Sequence, residues 1–402
     1  MKRVAIALSI VLTVSACQTP APRDAAEATS ERIQRLLRET PLVDGHNDLR
    51  ILYTSCPNDC PRGYEAYDIG GPVKGHTDLA RWKAGGVGAQ LLNSGWLGRE
   101  SGLDGTLKGL AFTQEMVTRY PDRVAIARTS AEVRSIHAQG KLAILMALES
   151  PERLGTDEAT VRRLAEEGVR ADILAYGEPS VFADGHEGPA KFGGLSPLGE
   201  QMVGWMQRHG ILVDLSHASN DTARAVLDIA TAPVIFSHSN AAALADVSRN
   251  VPDDVLRRLP ANGGLVMVSF VPEFNVKAFG VWFDAGDVAW KGYLKANDDD
   301  RALAGPLMDA WEKANPQPSV TISDVANHIE HIRDMAGVDH VGLGSDFDGI
   351  NVTVKGLEDV SKFPALLEEL ARRGWSDTDL KKLTGENFLR VLDVADARAR
   401  RG

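Results

Sequence analysis

The chain has 402 residues, 44% of them hydrophobic and 25% charged, enough for one large globular domain or two medium ones and too apolar for a disordered chain. Its formal net charge of −11 argues against a nucleic-acid binder or a protein that coats anionic lipid, because either needs a basic face. A small-molecule partner is the expectation that remains.

The first segment, "MKRVAIALSIVLTVSAC", places Lys2 and Arg3 before an apolar run over residues 4–14 and small residues leading to Cys17. This pattern reads as an export signal over residues 1–16. An uncleaved anchor is the competing reading, weakened because the run is short for a bilayer. "VSAC" is similar to a bacterial lipobox, in which the chain is cut before the cysteine and the thiol carries lipid. Residues 17–30 then read as a lipidated N-terminus and tether, and the protein is expected in the periplasm or cell envelope, held to a membrane at Cys17. In such an oxidising compartment Cys56 and Cys60 of "SCPNDCPRG" could close a small disulfide loop. A metal site there is the weaker alternative, since two thiolates do not complete a tetrahedral zinc site and no histidine lies nearby.

From residue 31 onward short apolar runs recur, each followed by polar or glycine-rich text. They are "PLVDGHND" (41–48), "GVGAQLLNS" (86–94), "LAILMALES" (142–150), "ADILAYG" (171–177), "ILVDLSH" (211–217), "PVIFSHS" (233–239), "GLVMVSF" (264–270) and "HVGLGSDFDG" (340–349). Amphipathic helix patterns lie between them, as at 157–168, 197–210, 220–230 and 321–337, each ending near a glycine or charged turn. Eight near-continuous apolar strands alternating with helices predict an α/β fold, a (β/α)8 TIM-type barrel with insertions over residues 31–398. An open doubly wound sheet is disfavoured because no G-x-G-x-x-G turn follows the first strand. The longest interruption, residues 271–319, holds three of the seven tryptophans. It reads equally as a lid or substrate wall over the barrel mouth, or as a helical excursion on its flank.

The chemistry-bearing residues sit at the C-terminal ends of these strands. His46 and Asp48 follow the first, Glu149 the third, His217 the fifth, His238 the sixth and Asp346 the eighth. A parallel barrel brings those ends to one mouth. Singly each is weak, and an H-x-D pair is common by chance. His137, His209, His328 and His331 lie in helical text and read as surface or packing residues. Together, three imidazoles and two carboxylates suit zinc better than the oxygen-seeking magnesium or calcium. Five ligands exceed what one catalytic zinc needs and point to two ions sharing a carboxylate, about 3.5–4 Å apart, which would acidify a bridging water and polarise a carbonyl. Asp346 is left as the proton carrier.

The segments "DGHNDL", "TDLARWKAGGVGAQ", "ALES", "GGLSPLGEQMV", "VDLSHAS", "VIFSHSNA", "SRNVPDDVL", "GLGSDFDGI" and "GLEDVSKFPALLEEL" occur in this order over nearly all of residues 30–395. They resemble the renal or membrane dipeptidase family of zinc peptidases. The resemblance implies a barrel of the metal-dependent hydrolase type, two zinc ions, hydrolysis of dipeptides including some with a C-terminal D-residue, and a homodimer. It implies that His46 and Asp48 hold one ion, that His217 and His238 hold the other, and that Glu149 bridges them. Asp346 matches the family's proton-transfer aspartate, Asp348 a turn-fixing residue, and Arg249 the arginine that binds the substrate's terminal carboxylate, a task suited to a guanidinium fork.

One departure stands out. In the fourth strand the family usually carries T-H-x-x-N, and its histidine helps bind the scissile carbonyl. Here "ILAYGEPSVFADG" puts Tyr176 at the histidine and Pro179 at the asparagine. A tyrosine hydroxyl can donate one hydrogen bond to a developing oxyanion but carries no positive charge. Tyr176 acting only as a strand cap, or His186 standing in for the missing histidine, are the alternatives. The altered strand leaves room for another amide or a lactone as substrate, and a non-catalytic binding module on the same barrel is the non-enzymatic alternative.

Overall fold

The computed structural model describes residues 22–54, 68–95 and 102–400. The export signal, Cys17, and the Cys56 and Cys60 expected to pair lie outside the described residues. Nine strands occur among the described ones: β1 Leu42–Asp44, β2 Val87–Asn93, β3 Val124–Ile126, β4 Leu142–Ala147, β5 Val169–Ile173, β6 Leu212–Asp214, β7 Ile235–Phe236, β8 Leu265–Val268 and β9 Val341–Leu343. All pairings are parallel, in the order β2-β1-β9-β8-β7-β6-β5-β4, and β2 pairs with β4 from Ala89↔Ala143 to Asn93↔Ala147, which closes the barrel. The eight expected strands are the eight of the closed barrel. The ninth, β3, pairs with the first half of β4 alone, Val124↔Leu142 to Ile126↔Ile144.

The strands read as continuous apolar text because both of their faces are covered. Along β4, Leu142, Ile144 and Met146 pack outward against helices, while Ala143, Leu145 and Ala147 point into the barrel. The interior is filled by small or medium side chains, Val43, Ala89, Ala171, Leu212, Ile235, Leu265 and Met267, so it is a packed core and not a pore. Fully burying each larger aliphatic side chain stabilises the fold by roughly 1.5–3 kcal/mol. The C-terminal helix Asn387–Ala399 joins this interior layer through Phe388, Leu389, Val391 and Leu392.

Two boundaries differ from the sequence reading. A helix spans Pro22–Glu39, so helical backbone begins inside the stretch expected to be tether; among its residues from 28 onward burial begins at Ile33, close to the expected domain start. The fourth expected strand, 171–177, is β5 at Val169–Ile173. Beyond it the chain turns through Gly177 at φ +66° and bridges back, Tyr176 to Glu178, so Tyr176 belongs to a turn at the mouth.

The insertion at 271–319 is helical. The helices Lys277–Ala296 and Arg301–Ala314 pack on each other, with Trp282 and Trp311 ring centroids 5.8 Å apart. Its root reaches the barrel mouth, where Phe274 and Asn275 bond to the chain around Asn250 and Ser269. Farther out Val281 and Val288 are exposed. The excursion reading fits the hairpin and the wall reading fits its root. Among the described residues no helix is long and apolar enough to cross a membrane.

Candidate metal centre

The first and last barrel segments are joined at the mouth. Asp48 N donates to Phe347 O at 2.9 Å, and Asp346 N donates to His46 O at 3.2 Å. Between His46 and Asp48 the side chain of Asn47 turns the other way, donating to Thr77 Oγ1 at 2.9 Å and accepting from Leu49 N at 2.8 Å. The H-x-D spacing therefore sends both outer residues to one side, as alternation along an extended chain requires.

Glu149 is the hub. Its Oε1 lies 3.0 Å from His217 Nε2, 3.4 Å from His238 Nε2 and 3.4 Å from His46 Nε2. His46 Nε2 is also 3.6 Å from Asp48 Oδ2, and His217 and His238 Nε2 atoms stand 3.0 Å apart. Donor atoms each about 2.0–2.2 Å from a tetrahedral ion stand roughly 3.3–3.5 Å from one another. The two 3.4 Å spacings lie in that range, the others within about 0.3 Å of it, and among the described residues the buried His46 Nε2 makes no hydrogen bond despite its two carboxylate neighbours. Ligand atoms of His46, Glu149 and His238 form one group within 4.8 Å, and those of His46, Asp48 and Asp346 a second. The residues present fit a metal centre.

The electrostatics divide it into two halves. Burial opposes charge on His46, but Glu149 and Asp48 overcome it and hold the imidazole well above its usual pKa. Burial alone would raise Glu149; His46, with hydrogen bonds to His217 and His238, pulls it well below the carboxylate range. Burial, then Arg249, pushes His217 down to about 4, and burial, then His46, pushes His238 well down, so both are neutral and able to ligate. Ser237 Oγ stands 2.8 Å from His238 Nδ1, which leaves Nε2 to face Glu149. Asp214 in turn accepts from Ser216 N and Ser237 N, each at 3.0 Å, and fixes that loop.

Asp346 is half-buried beside this cluster. Burial pushes it up to about 8, with His46 pulling down and Asp48 and Glu149 pushing up. It sits at φ +66°, as does His217, with Asp348 at +67°. Such backbone costs about 1 kcal/mol or more for a residue with a Cβ and persists where its surroundings fix it. His76 N donates to Asp348 Oδ1 at 2.6 Å and Asp348 N donates to His76 Nδ1 at 2.9 Å, so Asp348 fixes the turn as expected. Gly349 next to it has a steric reason: a Cβ there would stand 2.5 Å from both Asp346 Oδ1 and Asp48 Oδ2.

Arg249 is buried on the β7 side, donating to Ser239 Oγ at 3.1 Å and His238 O at 3.3 Å, with its guanidinium 5.0 Å from the Phe274 ring centroid. Among the described residues its Nε has no hydrogen-bond partner. Tyr176 stacks on His217 with ring centroids 4.4 Å apart, yet is 55% exposed. Glu149 first, then burial and Asp48, hold its phenol protonated. His186 is also near, its ring 5.6 Å from His217 and its Nδ1 3.0 Å from Ser248 Oγ; burial, then Arg249, pushes it down to about 3. The remaining histidines are remote from this cluster, and His328 is a core residue whose Nδ1 accepts from Ala241 N at 3.1 Å. Sequence reasoning missed Asn93, whose Nδ2 donates to Asp48 Oδ1 at 2.8 Å and Glu149 Oε2 at 3.0 Å. Its signal was a polar residue at the end of the second strand.

The sequence signature of membrane dipeptidases, peptidase family M19, matches residues 30–401. The chain belongs to the membrane dipeptidase family. This family member is 34% identical over 377 residues to dipeptidase verJ of Clonostachys rogersoniana, covering 90% of this chain and 86% of that one. It is 35% identical over 381 residues to dipeptidase aclJ of Aspergillus oryzae, covering 92% and 81%. Its fold is that of the probable dipeptidase PvdM from Pseudomonas aeruginosa, with a TM-score of 0.76 at 24% identity over 94% of this chain and 100% of that one. The family implies a metal cofactor, and the cluster around Glu149 at the barrel mouth is the candidate for holding it.

Proposed function

We propose that the protein hydrolyses dipeptides with two zinc ions, one held by His46, Asp48 and Glu149 and the other by Glu149, His217 and His238. The observation that carries this reading is the convergence of three imidazoles on one Glu149 oxygen at 3.0–3.4 Å. When bound, the ions supply a water of near-neutral acidity and a Lewis acid for the scissile carbonyl. Arg249 pairs with the substrate's C-terminal carboxylate. Asp346 takes the proton of the attacking water and passes it to the leaving amine. Tyr176 donates its hydroxyl hydrogen to the carbonyl oxygen as charge builds there. A protonated phenol at a half-open mouth suits that task, and dipeptides with a C-terminal D-residue fall within the same reading.

The tyrosine also favours a second reading, another amide or a lactone as substrate. A panel of L,L- and L,D-dipeptides, N-acyl amino acids and lactones separates the two. Cleavage of dipeptides is expected, and turnover of the others alone would refute the dipeptidase assignment. Tyr176→Phe should lower kcat on dipeptides by about 10²-fold, as for other oxyanion donors, with Tyr176→His restoring much of it. An unchanged kcat in Tyr176→Phe removes the hydroxyl from the chemistry. We further propose the lipid anchor at Cys17: Cys17→Ser should move the protein from the membrane to the soluble fraction, and retention in the membrane would refute it.

A further inference from the structure

Directly after Glu149 the chain makes a single 3-10 turn, Pro151–Arg153. Arg153 is only 7% exposed, yet its Nη1 makes no hydrogen bond, and it forms no ion pair among the described residues. A buried guanidinium ordinarily has its fork filled. Asp172 is the nearest buried carboxyl by its effect on Arg153, but burial holds it well above the carboxylate range, so it is a weak counter-charge. Glu152 has its Oε2 engaged by Ser150 Oγ at 2.7 Å.

Arg153 lines a cavity of about 220 Å³ together with Ile51, Asn93, Glu149, Ser150, Glu152 and Tyr176. That is the liquid volume of roughly seven waters at about 30 Å³ each, enough for one side chain of a few heavy atoms. The strand order places Arg153 and Arg249 on different sides of the barrel mouth. Arg153 follows β4 and Arg249 bonds to the end of β7, with two strands between them on one side of the barrel and four on the other. A dipeptide whose carboxylate meets Arg249 and whose scissile carbonyl lies at Glu149 points its N-terminal residue at the cavity.

We infer that this cavity receives the side chain of the substrate's N-terminal residue, and that Arg153 selects a carboxylate there, favouring dipeptides that begin with glutamate or aspartate. The assignment rests on the dipeptidase reading. Where Arg153 lines the cavity a carboxylate gains a charge-assisted bond to the guanidinium, whereas an isosteric amide offers a neutral oxygen and an amino group that Arg153 repels. An ordered water between Arg153 and Asp172 would give the arginine a structural role alone, and that role makes no distinction between the two substrates.

The test compares kcat/KM for Glu-Ala and Gln-Ala with the zinc-loaded full chain, and for Arg153→Met. A preference for Glu-Ala of about 10-fold or more is expected, falling towards one in Arg153→Met. A ratio near or below one in the unaltered protein, or one unchanged in Arg153→Met, overturns the inference. If Arg153→Met does not fold, calorimetry on the unaltered protein decides. A phosphinate dipeptide mimic with a glutamyl side chain should bind about 10-fold tighter than its glutaminyl counterpart, and equal affinities overturn the inference. Cleavage of Ala-Ala with no Glu preference sinks this inference alone, while failure to cleave any dipeptide sinks the dipeptidase reading with it.

Discussion

Glu149→Gln should reduce kcat/KM by at least about 10³-fold and bring the zinc content below one ion per chain. Glu149 touches all three imidazoles through one oxygen and is positioned by Asn93 through the other. Glutamine keeps the shape but loses the charge and one acceptor, so neither ion retains its shared ligand. The loss of rate follows from losing the acidified water and the Lewis acid together. Metal analysis gives the first readout and thermal melting the second. Zinc at about 100 times its dissociation constant adds roughly 2.7 kcal/mol to the folded state, which raises the Tm of the unaltered protein. The variant's Tm should respond little to zinc. Two firmly held ions and full activity in Glu149→Gln would remove Glu149 from its bridging role.

The barrel and the convergence of the candidate ligands at its mouth were legible in the sequence for one physical reason. Parallel strands covered on both faces leave long apolar runs, and their C-terminal ends are where side chains such as His46, Glu149 and His238 can meet. What escaped had no such signature. The strand Val124–Ile126 is three residues long between two helices, too short to show a period. Tyr176 reads as strand because an apolar run continues past the ladder until Gly177 turns it. Asn93 and Ser237 act on ligands and not on metal, and a neutral polar residue at a strand end resembles any cap. Arg153 reads as a helix-turn residue in the text "SPERLG"; only its burial without a partner marks it.

The two halves of the centre also predict how metal binding couples to protons. Glu149 and Asp48 favour a proton on His46, while burial disfavours one on His217 and His238. An ion entering beside His46 displaces that proton and takes over its partnership with both carboxylates. The residues of the other half need no such exchange, so metal affinity at His46 weakens more steeply as pH falls.

Asp346→Asn should leave the zinc content unchanged and lower kcat by about 10²–10⁴-fold, the range for loss of a positioned acid–base group. To accept a proton from the attacking water Asp346 must be ionised, so activity rises with pH through its pKa. Burial, with Asp48 and Glu149 beside it, pushes that pKa up to about 8, and the positive charge of bound ions draws it back down. The rising limb of the kcat profile therefore lies between the ordinary carboxylate value and about 8. In Asp346→Asn the limb should vanish, because asparagine has no proton to lose over that span. A variant that keeps both the rate and the limb would show that another group moves the proton. One that loses its zinc would instead make Asp346 a ligand, the role that its place beside His46 and Asp48 leaves as the competing outcome.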